Sequence, residues 1–144
     1  MISDGEIRGI LRRYTVVAVV GLSRNPSKDS YKVAEYLQKA GYRVVPVNPV
    51  AEEILGEKSY GSLLELPEEL KRSVEVVDIF RPPEAVPPIV DDAIMLREEH
   101  GAPHVVWMQL GIIHEEAAEK ARAAGMRVVM NRCMKEEHTR LLTG

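Results

Sequence analysis

The stretch "TVVAVVG", residues 15–21, constrains the fold of this chain more than any other. Its apolar residues run without interruption, the pattern of a strand covered on both faces rather than one. Such a strand belongs inside a sheet with helices packed above and below it, and the rest of the chain supplies them. "SDGEIRGILRRY" reads as an opening helix that Ser3 or Asp4 caps, with Ile7, Ile10 and Leu11 on one face. Beyond a polar loop, Val33, Ala34, Leu37 and Ala40 recur at helical spacing, and Gly41 ends that helix.

The alternation continues to the far end. "YRVVPVNP" is a second strand, in which Pro46 conflicts with a ladder hydrogen bond. "EILGEKSYGSLLELPEEL" holds two short helical pieces at most, and "VEVVDIF" is a third strand stopped by "RPP". A longer helix to about His100 carries Val86, Ile89, Val90, Ala93 and Leu96 on one side; Pro87 and Pro88 fit only in its first turn. "PHVVWMQ" is strand four and "HEEAAEKARAAG" a helix with acids first and Lys120 and Arg122 last, as the helix dipole favours. "MRVVM" is strand five, and "CMKEEHTRLL" a closing helix. Strands alternating with helices predict an α/β fold: a doubly wound, Rossmann-like, parallel five-stranded sheet with helices on both faces, forming one domain over residues 1–144.

Composition narrows the function classes. A net charge of −3 argues against a nucleic-acid partner, which needs a basic surface, but leaves room for a small anionic ligand. No apolar run reaches the roughly 18 residues of a membrane span, and the opening residues lack a signal-peptide layout. A lone cysteine, Cys133, excludes an intrachain disulfide, so a cytoplasmic protein is expected. Few amides beside many Lys, Arg and Glu point toward a thermophilic source.

Ligands of doubly wound sheets bind beyond the strand carboxyl ends, where strand order reverses. That places "GLSRNPSKDS", "NPV", "FRPP", "MQLG" and "NRC" near one edge. Gly21 leaves the first strand without a Cβ, so a ligand has room to approach the backbone. Asp29 or Ser30 is placed to cap the next helix, whose N-terminus favours an anion, and Arg24 and Lys28 add positive charge. One glycine is weak evidence, and the same loop fits an ordinary solvated connection. At the second strand's end, where NAD-binding domains place a carboxylate for the ribose, this chain has Asn48. An asparagine tolerates a phosphorylated ribose, which favours NADP or coenzyme A, although Asn48-Pro49 also fits a plain turn. Arg81 is a further cation, with Phe80 and Pro82 in a rigid apolar wall; Gln109 and Gly111 stand at the fourth strand's end.

Catalytic groupings are poor. The four histidines (His100, His104, His114, His138) have no metal-ligand spacing, so no metal site is expected. Cys133 lies between a strand end and a helix start, where a buried or capping thiol and a mixed disulfide with a thiol ligand are both open. His138, five positions on, is a surface or packing residue.

The segments "AVVGLSRNPSKDSYKVAEYL", "GYRVVPVNP", "DIFRPPEAV", "VWMQLGI" and "NRCMKEEH", in that order, resemble the small stand-alone CoA-binding domain proteins. That family is similar in fold to the N-terminal domain of the succinyl-CoA synthetase alpha subunit, and the likeness runs from about Asp4 to Leu142. The resemblance implies a nucleotide-binding domain holding coenzyme A or an acyl-CoA by its ADP part across the strand ends. It brings Ser23, Arg24 and Asn25 onto the ligase's CoA loop, Phe80, Arg81 and Pro82 onto its proline-rich turn, and Gln109 with Gly111 onto its fourth strand end. Ala51 stands about where the ligase has a lysine, a place that Lys28 could fill. The ligase's phosphorylated histidine belongs to a second domain outside this likeness, so the expectation is a CoA-binding module with no catalytic residues of its own. The other readings are an NADP-linked oxidoreductase, a CoA-dependent transferase using Cys133, and a bare interaction domain; a protein partner or homo-oligomer stays open.

Overall fold

The computed structural model describes residues 2–142. Along the chain run α1 (Asp4–Arg13), β1 (Val16–Val20), α2 (Asp29–Lys39), β2 (Arg43–Val47), β3 (Glu53–Ile54), β4 (Glu57–Lys58), α3 (Glu68–Ser73), β5 (Val76–Ile79), α4 (Val86–His100), β6 (Val105–Met108), α5 (Glu115–Ala123), β7 (Arg127–Val129) and α6 (Met134–Leu142). The main sheet has five strands in the order β2-β1-β5-β6-β7, all parallel. This is the expected doubly wound α/β architecture. From β1 the chain steps outward to β2, then crosses back to β5, so strand order reverses between β1 and β5.

The run that opened the sequence reading is covered on both sides. Val17 and Val19 join Ile7, Ile10 and Leu11 of α1, Val33 and Leu37 of α2, and Met134 of α6 in one buried layer. Ala18 and Val20 face the other layer, built from Leu70 of α3, Val90 and Leu96 of α4, and Ala118 and Ala121 of α5. Burying a Val or Leu side chain contributes about 1.5–3 kcal/mol, so β1 is stabilised from both faces at once. Ser3 caps α1: its hydroxyl accepts from the Glu6 N–H at 3.2 Å, and the Glu6 carboxylate accepts from the Ser3 N–H at 3.3 Å.

Two details differ from the sequence reading. Pro46 lies inside β2 because β2 is an edge strand and the residue's backbone faces away from β1; its carbonyl accepts from Tyr60 N–H instead. The segment read as two short helical pieces contains them, at Leu63–Glu65 and α3, but also an antiparallel β3-β4 pair. Its turn runs through Leu55 and Gly56, both at positive φ. A leucine there gave no turn signal in the sequence.

Candidate ligand-binding site at the strand carboxyl ends

The loop after β1 is shaped by its own side chains. The Ser23 N–H donates to Ser30 Oγ at 3.0 Å, and the Asn25 N–H donates to Ser23 Oγ at 3.0 Å. Ser27 donates to Asn25 Oδ1 through both its N–H and its hydroxyl. Neither Asp29 nor Ser30 caps α2, contrary to expectation. Lys28 takes the cap position with no side-chain hydrogen bond, because Ser30 Oγ is spent on Ser23. The first turn of α2 therefore keeps its positive end uncapped by any side chain.

Gly21 differs from expectation as well. Its φ is +88°, and a Cβ there would stand 2.7 Å from the Phe80 carbonyl oxygen and 2.9 Å from Arg81 Cδ. The room this glycine leaves is filled by the turn after β5, so the switch point between β1 and β5 is closed at its floor. Asn48 clamps the adjoining loops: its Nδ2 donates to the Leu22 carbonyl at 2.8 Å, and its Oδ1 accepts from the Val50 N–H at 2.8 Å.

Phe80 and Arg81 part to opposite sides of the sheet. Phe80 is half-buried against the α1, α2 and α6 layer and lines a hollow of about 410 Å³ with Val33, Gln109, Ile112 and Cys133. Arg81, exposed, borders one of about 280 Å³ with Gly21, Pro49, Pro88, Ile89 and Asp92. Pro82 and Gly111 are exposed. Gly111, at φ +85°, serves a turn, and its N–H donates to Asn131 Oδ1 at 2.7 Å. A larger hollow of about 890 Å³ follows the β7 edge past Ile2, Arg127 and Arg132; it takes in Asn131 but none of the candidate binding residues read from the sequence.

This edge carries charges of both signs, with Asp29 and Asp92 among its cations. Arg24, Lys28 and Arg81 are exposed, and the side chain of none of them is hydrogen-bonded or ion-paired to a described residue. Some cations elsewhere are engaged, since Arg132 and Arg140 hold Glu137 and Lys120 holds Asp91, whereas the side chains of others such as Lys39 and Arg43 have no partner among the described residues either. Arg24 and Lys28 lie in the loop that leads into the uncapped start of α2, and Arg81 lies on the turn after β5.

One residue of this region escaped the sequence reading. Asp78, in the middle of β5, is fully buried; its Oδ1 accepts from Gln109 Nε2 at 2.8 Å, and its Oδ2 has no partner. Burial pushes its pKa up to about 7, against the opposing hydrogen bond from Gln109. A lone aspartate inside the apolar run "VEVVDIF" was the available signal. Cys133 immediately precedes α6, and burial raises its pKa against the lowering effect of the Glu136 and Lys135 backbone N–H groups. His138 packs against Tyr42, and its Nδ1 lies 2.8 Å from the Tyr36 hydroxyl, the packing role expected of it. Among the described residues no group of three or more His, Cys, Asp or Glu is placed to hold a metal ion, and no helix is long and apolar enough to cross a membrane.

Known proteins share this arrangement. Residues 15–139 match the family model described as CoA binding domain. The chain is 38% identical over 136 residues to the uncharacterized protein YneT of Bacillus subtilis, covering 94% of each. It is 30% identical over 128 residues to the alpha subunit of acetate–CoA ligase (ADP-forming) II of Pyrococcus furiosus, covering 82% of this chain but 26% of that one. A solved structure of a hypothetical protein from Pyrococcus horikoshii superposes with a TM-score of 0.88 at 43% identity, over 98% of this chain and 93% of that one. With the sheet order, the strand-end clefts and a match over most of its length in agreement, the chain belongs to the CoA binding domain family.

Proposed function

We propose that this protein binds coenzyme A, or an acyl-CoA, across the carboxyl ends of β1, β2, β5 and β6, as a binding module without catalysis of its own. The observation that carries this reading is that the strand-end loops present exposed Arg24 and Lys28 ahead of the uncapped start of α2, and exposed Arg81 on the turn after β5, in a chain whose net charge is −3. These groups would hold the phosphates. The hollow bordered by Pro49, Pro88 and Ile89 offers flat apolar walls for adenine, and the hollow of Phe80, Val33 and Ile112 offers a seat for the pantetheine arm. Asn48, neutral, brings no charge against a phosphorylated ribose. Burial holds the Cys133 thiol in its protonated form, which disfavours a transferase built on that nucleophile.

Calorimetry with CoA, dephospho-CoA, NADP and NAD tests the reading. CoA is expected to bind best, and dephospho-CoA more weakly by the loss of one charge-assisted contact. Lys28→Ala should erase that difference. A protein that binds NADP well and CoA not at all would overturn the proposal.

A further inference from the structure

The buried pair of Asp78 and Gln109 has no part in holding the phosphates, yet it stands at the rim of the hollow assigned to the arm. Asp78 lies in register with Val19 of β1 and Trp107 of β6, so its side chain faces the α1, α2 and α6 layer. Gln109 follows β6 and is buried; one end of its amide is bonded to Asp78, and its side chain lines the hollow with Phe80 and Cys133. Gln109 Oε1 has no hydrogen-bond partner among the described residues. We propose that Gln109, oriented by Asp78, is the specificity-determining group that tells a free thiol from a thioester at the sulfur end of the ligand. This inference rests on the CoA reading above.

The argument is one of donors and acceptors. An ionised Asp78 accepts only, so the Gln109 amide must turn its N–H to Oδ1, as it does here, and leave Oε1 for the ligand. That outward carbonyl accepts from an S–H. In the protonated acid, a hydrogen on Oδ2 would be sealed in without an acceptor, so the proton sits on Oδ1 and donates; the amide then reverses, Oε1 accepts from the acid, and the NH₂ group faces the ligand. That group donates to the carbonyl of a thioester, which a free thiol lacks. The unpartnered Oδ2 weighs against the charged form, since a carboxylate sealed without a second donor is costly to ionise. Burial raises the Asp78 pKa to about 7, so both forms are populated near neutral pH.

One neighbouring titratable group bears on this equilibrium: the Asp78 charge helps raise the Cys133 pKa, so an ionised Asp78 and a Cys133 thiolate disfavour each other. β1 and β6 present Val19 and Trp107 at the register of Asp78, and α1 presents Ile7, Ile10 and Leu11. From α2, Asp29 and Lys32 line the hollow; from α6 and the residue before it come Cys133, Lys135 and Glu136. None of these is hydrogen-bonded or ion-paired to Asp78, and Gln109 is its one described partner.

Titration of CoA and acetyl-CoA into the protein at about pH 6 and about pH 8 tests the pair, because the two ligands share every phosphate and differ only at sulfur. The preference for acetyl-CoA over CoA should fall about tenfold across that interval, the effect of one mismatched buried hydrogen bond. In Asp78→Asn, which stays neutral, the preference should not move with pH. Should that variant fail to fold, binding heats of the parent protein in buffers of different ionisation enthalpy serve instead: acetyl-CoA must take up more protons than CoA near pH 7. A preference independent of pH, or equal proton uptake, would overturn the inference while CoA binding stands. If neither CoA nor adenosine 3′,5′-diphosphate binds, the CoA reading falls, and this inference with it.

Discussion

Gly21→Ala separates two roles for the glycine that ends β1. If this glycine clears space for a ligand, alanine costs affinity and leaves the unliganded protein unchanged. If it clears space for the turn after β5, alanine costs stability before any ligand is added. The geometry favours the second: the new Cβ would stand 2.7 Å from the Phe80 carbonyl oxygen, a backbone atom, and 2.9 Å from Arg81 Cδ, at a φ of +88°. Arg81 is a flexible side chain and moves aside cheaply, whereas Phe80 is tied to β1 by its N–H on the Val20 carbonyl at 2.8 Å. Holding an L-residue in the left-handed region costs about 1–2 kcal/mol, and pushing a packed turn aside about 1–3 more. For a chain of this length the unfolding entropy is about 0.3 kcal/mol/K, so the melting temperature should drop by about 7–16 °C. Scanning calorimetry of the ligand-free variant measures the drop directly. A Gly21→Ala protein that melts within about 1 °C of its parent would refute the close approach of the two turns.

Two further outcomes follow from buried carboxylates with opposite surroundings. Asp78 has a folded pKa raised to about 7, above its unfolded value, so its stabilising effect is complete at low pH and is lost as pH rises toward and through neutrality. Urea unfolding should show the parent losing on the order of 3 kcal/mol between pH 5 and pH 8 relative to Asp78→Asn, and parallel pH profiles would count against a buried titrating acid. Glu137 is buried and held by Arg132 at 2.8 Å and by Arg140 at 2.9 Å, and Arg140 also reaches Asp4 of α1. Hydrogen bonds from Arg140, then Arg132, hold its pKa down, so this contribution is present above the usual carboxylate range and fades in acid. Glu137→Ala should lower stability at neutral pH by about 1–3 kcal/mol in urea titrations, and by less at pH 3, where the parent has lost part of the bond.

The sheet was legible because its strands announce themselves. "TVVAVVG", "VEVVDIF" and "PHVVWMQ" are apolar on both faces and have no stable place outside a covered sheet, and the helices between them carry one apolar stripe each. The β3-β4 pair was not legible, since two-residue strands have no period to read and the turn uses Leu55 at positive φ. At the site, the sequence reading found the segments but assigned several of their residues by type. Ser30 was a capping residue by type, yet its hydroxyl faces back to Ser23, a choice that depends on where the loop returns. Asp78 was passed over because its meaning lies in Gln109, 31 positions away and one strand over.

Several residues read as ligand contacts also order the loops of the site. Ser23, Asn25, Ser30 and Asn48 spend their polar groups on neighbouring backbone. The side chains of Arg24, Lys28 and Arg81 spend none. That division is what a preformed anion site needs: a loop already ordered by its own hydrogen bonds gives up little conformational freedom on binding, so more of the cation–phosphate attraction remains as affinity. It also changes the meaning of Asn48. The residue there donates to the Leu22 carbonyl and accepts from the Val50 N–H, two bonds that an amide makes and an ionised carboxylate cannot. An aspartate would set a carboxylate against the Leu22 carbonyl and lose the clamp. The missing acid at the end of β2 therefore follows from the loop's own hydrogen bonding before any ligand is considered, so its absence does not by itself argue for a phosphorylated ribose.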